Sequence, residues 1–139
     1  MPAIFMQPNL QLTSGGNINP SRIVKVSTAA DNTVLISAAA TSPNIGVSQM
    51  GSRRAPGTGD DDGYAAIAGE NIGVYGPGSG LSPVELGGTV TRGDFLTADS
   101  AGRAIATTTE GDVGIGWALQ SGVVYDIGQY LSNPCFYAS

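Results

Sequence analysis

The chain has no histidine, one cysteine (Cys135) and one lysine (Lys25) in 139 residues. Without histidine there is no Ser-His-Asp or Cys-His catalytic set, and most transition-metal sites lose their commonest ligand. A lone cysteine forms neither a thiolate cage nor an intrachain disulfide, which fits a reducing compartment. Lys25 lies in a β-branched run and outside any GxxxxGK[ST] loop, so no phosphate-binding loop is present. Charge is scarce as well. Charged residues make up 12% of the chain, about half the usual share, and the net charge is −5. The six basic residues are scattered, and only Arg53 and Arg54 are adjacent. A nucleic-acid binder needs a basic stripe to neutralise phosphates, so no nucleic acid is expected as a partner, and no anionic membrane surface either. No apolar run approaches the ~20 residues that span a bilayer. The first residues, "MPAIFMQPNLQLTS", have no basic leader and no long apolar stretch, so synthesis in the cytoplasm without a signal peptide is expected.

Carboxylates remain, because acid–base chemistry needs only their proximity in space. None stands out as a pair. Asp60-Asp61-Asp62-Gly63 suggests calcium, but the EF-hand register then places Thr58 at position 1 and Gly69 at position 12, where Asp and Glu are required. A solvated acidic loop is the plainer reading. No enzyme activity, cofactor or metal is expected.

What the chain has in quantity is glycine, 21 residues, with many Thr, Ser, Val and Ile. That composition suits short strands joined by tight turns. Residues 1–21 read as an extended arm. Pro2, Pro8 and Pro20 forbid helix nearby, and Ile4, Phe5, Leu10 and Leu12 give the arm an apolar character. Those four residues must bury somewhere, on the chain's own barrel or on a partner. Residues 22–139 read as a β-rich domain. Strands are predicted at "RIVKVST" (22–28), "TVLISA" (33–38), "NIGVSQM" (44–50) and within "YAAIAGENIGVYG" (64–76). The charged, Gly-rich stretch 51–63 reads as a long mobile loop, and "GPGSGLSP" (76–83) as turn throughout.

In "DVGIGWALQ" (112–120), Val113, Ile115, Trp117 and Leu119 alternate with Gly114, Gly116 and Ala118. Period two predicts a strand with a bulky core face and a bare face that another backbone or a large neighbour can approach. "VVYDIGQYL" (123–131) follows after Ser121-Gly122, and the two-residue gap predicts a hairpin. "DFLTA" and "RAIAT" flank Asp99–Gly102, where Gly102 can take the left-handed position of a second hairpin. Arg92-Gly93-Asp94 sits at a strand entry and reads as a turn, not as an adhesion signal. "NIGV" at 44–47 and 71–74 and "DVGI" at 112–115 have unequal spacings, so they mark glycines in bent strands and not a solenoid. The fold class predicted is all-β: a small β-barrel or β-sandwich of short strands with an extended N-terminal arm.

The segment "ELGGTVTRGDFLTADSAGRAIATTTEGDVGIGWALQSGVVYDIGQYL" (85–131) resembles the capsid decoration, or cement, proteins of tailed bacteriophages. The resemblance lies in the order of a Gly-Asp entry at Gly93-Asp94, a "T-A-D-S-A-G-R-A" hairpin, a "G-x-A-L-x-x-G" segment at Gly116–Gly122 and a closing strand. It implies a non-catalytic virion protein, made in the host cytoplasm and commonly a homotrimer. Such a protein binds the major capsid protein on the outer capsid surface and stabilises the head. It also implies that an extended arm attaches to the capsid, here through Ile4, Phe5, Leu10 and Leu12. The rival expectation is a trimeric fibre or receptor-binding virion domain.

Overall fold

A computed structural model of the chain describes residues 9–53, 62–77 and 80–137. They form ten strands and, among the described residues, no helix. These are β1 (Asn9–Ser14), β2 (Ile23–Val26), β3 (Thr33–Ile36), β4 (Asn44–Ser48), β5 (Asn71–Tyr75), β6 (Leu81–Glu85), β7 (Phe95–Ala98), β8 (Ala104–Ala106), β9 (Val113–Ala118) and β10 (Ile127–Phe136). The first five close into a barrel in the order β1-β3-β2-β4-β5, and the rest form an open sheet in the order β6-β10-β9-β7-β8. The all-β barrel expectation holds, with a second sheet added.

Alternation along the strands builds two cores. Ile23 and Val24 are neighbours on β2, yet Ile23 faces the second sheet and Val24 faces the barrel interior. The inter-sheet core gathers Val47, Val84, Leu96, Ile115 and Tyr130 around Ile23. The barrel core gathers Val34, Ile72 and Val74 around Val24. One end of the barrel is stoppered by Ile18, Ala65 and Ala66, where the Ile18 N–H donates to the Ala66 carbonyl at 2.9 Å. The two sheets are also tied by charge. Glu85 accepts from Arg103 at 2.5 Å and lies 3.2 Å from Arg22, whose guanidinium also donates to the Ala101 carbonyl at 2.9 Å. The hydrogen bond to Glu85 raises the Arg103 pKa further above its already high ordinary value.

The expected arm at 1–21 is corrected in part. Residues 9–21 belong to the barrel: Asn9 to Thr13 pair rung by rung with Tyr75 to Asn71, and Ile18 is fully buried. Main-chain hydrogen bonds and Leu12 packing hold this stretch, which is why it is not free. Most of the expected mobile loop, 54–61, lies outside the described residues. Its first flank is anchored, with the Arg53 guanidinium on Glu70 at 2.8 and 2.9 Å and on Asp62 at 3.0 Å. The turn expected over 76–83 gives way at Leu81 to β6. Pro83 is tolerated there because β6 is an edge strand, paired with β10 alone.

The expected hairpin forms, with β9 and β10 paired antiparallel, but its turn is not at Ser121-Gly122. Gly122 exchanges two 2.9 Å backbone hydrogen bonds with Val90, and the chain turns later, at Val123–Asp126. β9 carries a bulge. Leu96 pairs with Gly116 and Thr97 with Gly114, so Ile115 is the extra residue. It drops into the inter-sheet core while Trp117 and Leu119 stay on the outside, so the predicted bulky face is split. The bare face is approached as predicted. A methyl on Gly114 would overlap the Phe95 ring, and one on Gly116 the Leu131 carbonyl. At the β7–β8 turn Gly102 takes a φ of 79°, as its position requires.

Tyr130 is the largest fully buried side chain. Burial pushes its phenol well above the ordinary 10.0, so the folded chain resists its ionisation. A folded pKa raised above the unfolded one leaves stability intact below pH ~10 and erodes it as pH rises, by up to about 1.4 kcal/mol per pH unit. Urea midpoints measured from pH 8 to 11 should fall above pH ~10, and Tyr130→Phe should flatten that fall. An equal fall in the variant would place the cause elsewhere.

Candidate interaction surface

The second sheet buries one face on the barrel and leaves the other open. Residues directly opposite on neighbouring strands share a face. Leu81 faces Leu131, Leu131 faces Trp117, and Trp117 faces Phe95, so one apolar row crosses four strands. Leu81 is 59% exposed, Leu131 45% and Trp117 40%. Phe95 is buried beneath its neighbours, with its ring 4.8 Å from Trp117 and 5.6 Å from Tyr137. Pro83 and Gln129 continue the face, and Leu119 flanks Gln129 through a 3.0 Å backbone hydrogen bond. Ile127 ends it opposite Glu85. A cleft of about 360 Å³ opens at its edge between Met50, Leu81, Pro83 and Ile127.

Glu85 is the one charged residue among these facing positions, and two arginines hold it. Tyr125 covers Arg103 from the side, with its ring 4.9 Å from the guanidinium carbon. The face therefore presents bulk and almost no net charge. Most of a folded surface is chemically mixed, so a contiguous apolar face framed by polar residues is the candidate interaction surface of this chain. Among the described residues no group of three or more acidic, His or Cys side chains could hold a metal ion.

Of the expected attachment residues, Leu10 and Leu12 do not lie on this face. Ile4 and Phe5 lie outside the described residues. Leu10 and Leu12 are on β1, at the unstoppered end of the barrel, with Leu10 packed over Gly76 and Leu12 against the barrel core. Leu81, Trp117 and Leu131 were missed as surface residues. A signal existed in β10, where Ile127 and Leu131 lie on one face and Tyr130 on the other. A strand apolar on both faces is one with something to cover on each.

Arg92-Gly93-Asp94 is a turn. The Asp94 N–H donates to the Thr91 carbonyl at 3.0 Å, its carboxylate accepts the Thr91 N–H at 2.9 Å, and Gly93 has a φ of 92°. Positive φ at the third residue is the type II pattern. Asp94→Ala should lower stability by about 1 kcal/mol, read as a shifted urea midpoint, since one side-chain cap is lost. An unchanged midpoint would mean that the carboxylate has no part in the turn.

No family model matches the chain, and no curated protein matches it. Among solved structures, the chain is similar to the N base of the head fiber gp8.5 of bacteriophage phi29. The TM-score is 0.61 at 17% sequence identity, over 90% of this chain and 92% of that one. At this identity the likeness is one of fold.

Proposed function

We propose that this chain is a structural protein of a bacteriophage head, carried on its outer surface as an assembly of identical copies. The observation that supports this most is the fold shared nearly end to end with the base of a phage head fiber. The resemblance of residues 85–131 to capsid decoration proteins points to the same particle from the sequence side. The finer reading is decoration: copies seated on the major capsid protein that stiffen the shell. The second reading, a fibre base, is favoured by the head-fiber neighbour itself.

In either role the outer face of the second sheet joins copy to copy. Permanent contacts between identical subunits are more apolar than transient ones. A face nearly free of charge also lets chains of net charge −5 meet without opposing like charges. Leu119, Ile127 and Phe136 beside the row are exposed too and widen the apolar area a second copy would cover.

Particles made with and without the protein separate the readings. Decoration requires many copies spread over the head and earlier DNA release on heating when they are missing, restored by adding the protein back. A fibre base requires projecting density and heads of unchanged heat resistance. Particles that carry no copies on the head would remove both.

A further inference from the structure

Four turns of the described residues are closed in one way. In Ile67–Glu70, Thr91–Asp94, Thr109–Asp112 and Val123–Asp126 the fourth N–H donates to the first carbonyl, at 3.1, 3.0, 3.3 and 3.1 Å, and the third residue has a positive φ. Such a turn asks for glycine at the third place, where a side chain is strained. Three of the four comply, with Gly69, Gly93 and Gly111. The fourth carries Tyr125, with a φ of 73°. Its turn is well held. The Asp126 carboxylate accepts the Val123 N–H at 3.0 Å, and the Tyr125 N–H donates to the Leu86 carbonyl at 2.9 Å. Yet the Tyr125 side chain stays 68% exposed, with Arg103 against one face of its ring, and Val123 and Val124 beside it are exposed as well. A strained, exposed aromatic held on a rigid turn points to a contact made outside the chain.

We propose that Tyr125 of one copy seats in the cleft between Met50, Leu81, Pro83 and Ile127 of another. This rests on the reading that copies of the chain associate, and it names where they meet. The chemistry matches on both sides. Gln120 and Gln129 join the four apolar residues in lining the cleft, and their amides can bond a phenol hydroxyl. Tyrosine, apolar in its ring and polar at its tip, suits such a lining. The size matches too. An apolar cavity of about 150 Å³ accepts benzene, and this cleft holds about 360 Å³. Charge does not oppose the contact, because none of the lining residues is charged. The place also fits. The cleft opens at the edge of the apolar row, so a copy seated there extends the contact proposed across the sheet. Within one chain Tyr125 lies over Arg103 and does not line the cleft, so the ring that fills it comes from a second copy.

The test uses the full chain with Cys135→Ser. Val124→Cys with Met50→Cys places two thiols across the proposed contact while Tyr125 stays in place, and a disulfide needs Cα atoms within about 7 Å. A control pairs Val124→Cys with Val26→Cys, on the barrel. Mild oxidation is expected to link chain to chain at least tenfold more in the first variant than in the control. Equal yields, or bonds closed within single chains, would overturn the proposal. A separate readout avoids the engineered thiols. Tyr125→Gly relieves the turn, so its urea midpoint should be no lower than that of the wild type, while sedimentation shows association weakened at least tenfold. A lower midpoint with unaltered association would make Tyr125 a residue of the fold alone. An associating wild type with neither effect would remove this seat and leave the contact between copies standing. A wild type that sediments as a monomer at every concentration would remove both.

Discussion

Gly116→Ala is expected to cost more than about 4 kcal/mol, enough to remove a large part of a typical domain's stability. Gly116 has a φ of 146°, in the positive range that side chains avoid. Space is the larger problem. A methyl there would overlap the Leu131 carbonyl and stand 2.9 Å from the Asn133 nitrogen. Both atoms are backbone, so no rotamer change can relieve the clash. β9 would have to part from β10, the central pairing of the second sheet. Gly111→Ala is the comparison. Its φ is 92°, but nothing lies within 4 Å of the added methyl. That variant should lose only the ~1 kcal/mol of backbone strain. Urea midpoints measure both. Equal losses at the two sites would mean that close approach to β10 is not what selects glycine.

Leu131→Asp is expected to weaken the proposed contact between copies at least a hundredfold while leaving the fold in place. Leu131 sits between Leu81 and Trp117 in the apolar row. Central interface residues cost 2 kcal/mol or more when lost, and a desolvated carboxylate adds to that. In the isolated chain Leu131 is 45% exposed, so the folded monomer gives up little. Sedimentation over a range of concentrations gives the dissociation constant. Wild-type association should also change little with added salt, because the face lacks charge for salt to screen. A strongly salt-dependent wild type, or a variant that assembles as before, would move the contact to another surface.

Much of the fold could be read from the residues because its signals are local. The runs Ile23–Val26, Thr33–Ile36 and Phe95–Ala98 are β-branched or aromatic and bounded by turn residues, and each is a strand. The Arg92-Gly93-Asp94 turn and the left-handed Gly102 follow from what glycine and aspartate do to a few neighbouring bonds. Partner choice was not local. Nothing in "NLQLTS" reports that it pairs with a segment some sixty residues on, so the sequence alone reads as an arm there. Trp117 is expected in the core beside Ile115, and only Ile115 is there, for a related reason. A bulge is a mismatch between two strands, and one strand's alternation cannot record it. The bulge at Ile115 turns Trp117 to the opposite face, although the two alternate in sequence.

The order of strands in the second sheet constrains how the chain can be made. β10 is the last strand in sequence but lies inside the sheet, between β6 and β9. During synthesis β6 emerges early and has no partner until β10 arrives. Tyr130, in the middle of the inter-sheet core, arrives with it. The barrel half can close once Tyr75 has been translated, whereas the second half waits on the final stretch of the chain. A ribosome stalled before residue 127 would therefore hold a finished barrel tethered to an unfinished sheet. Non-local β pairing of this kind is slow, and the unpaired edge is exposed to aggregation for as long as the wait lasts.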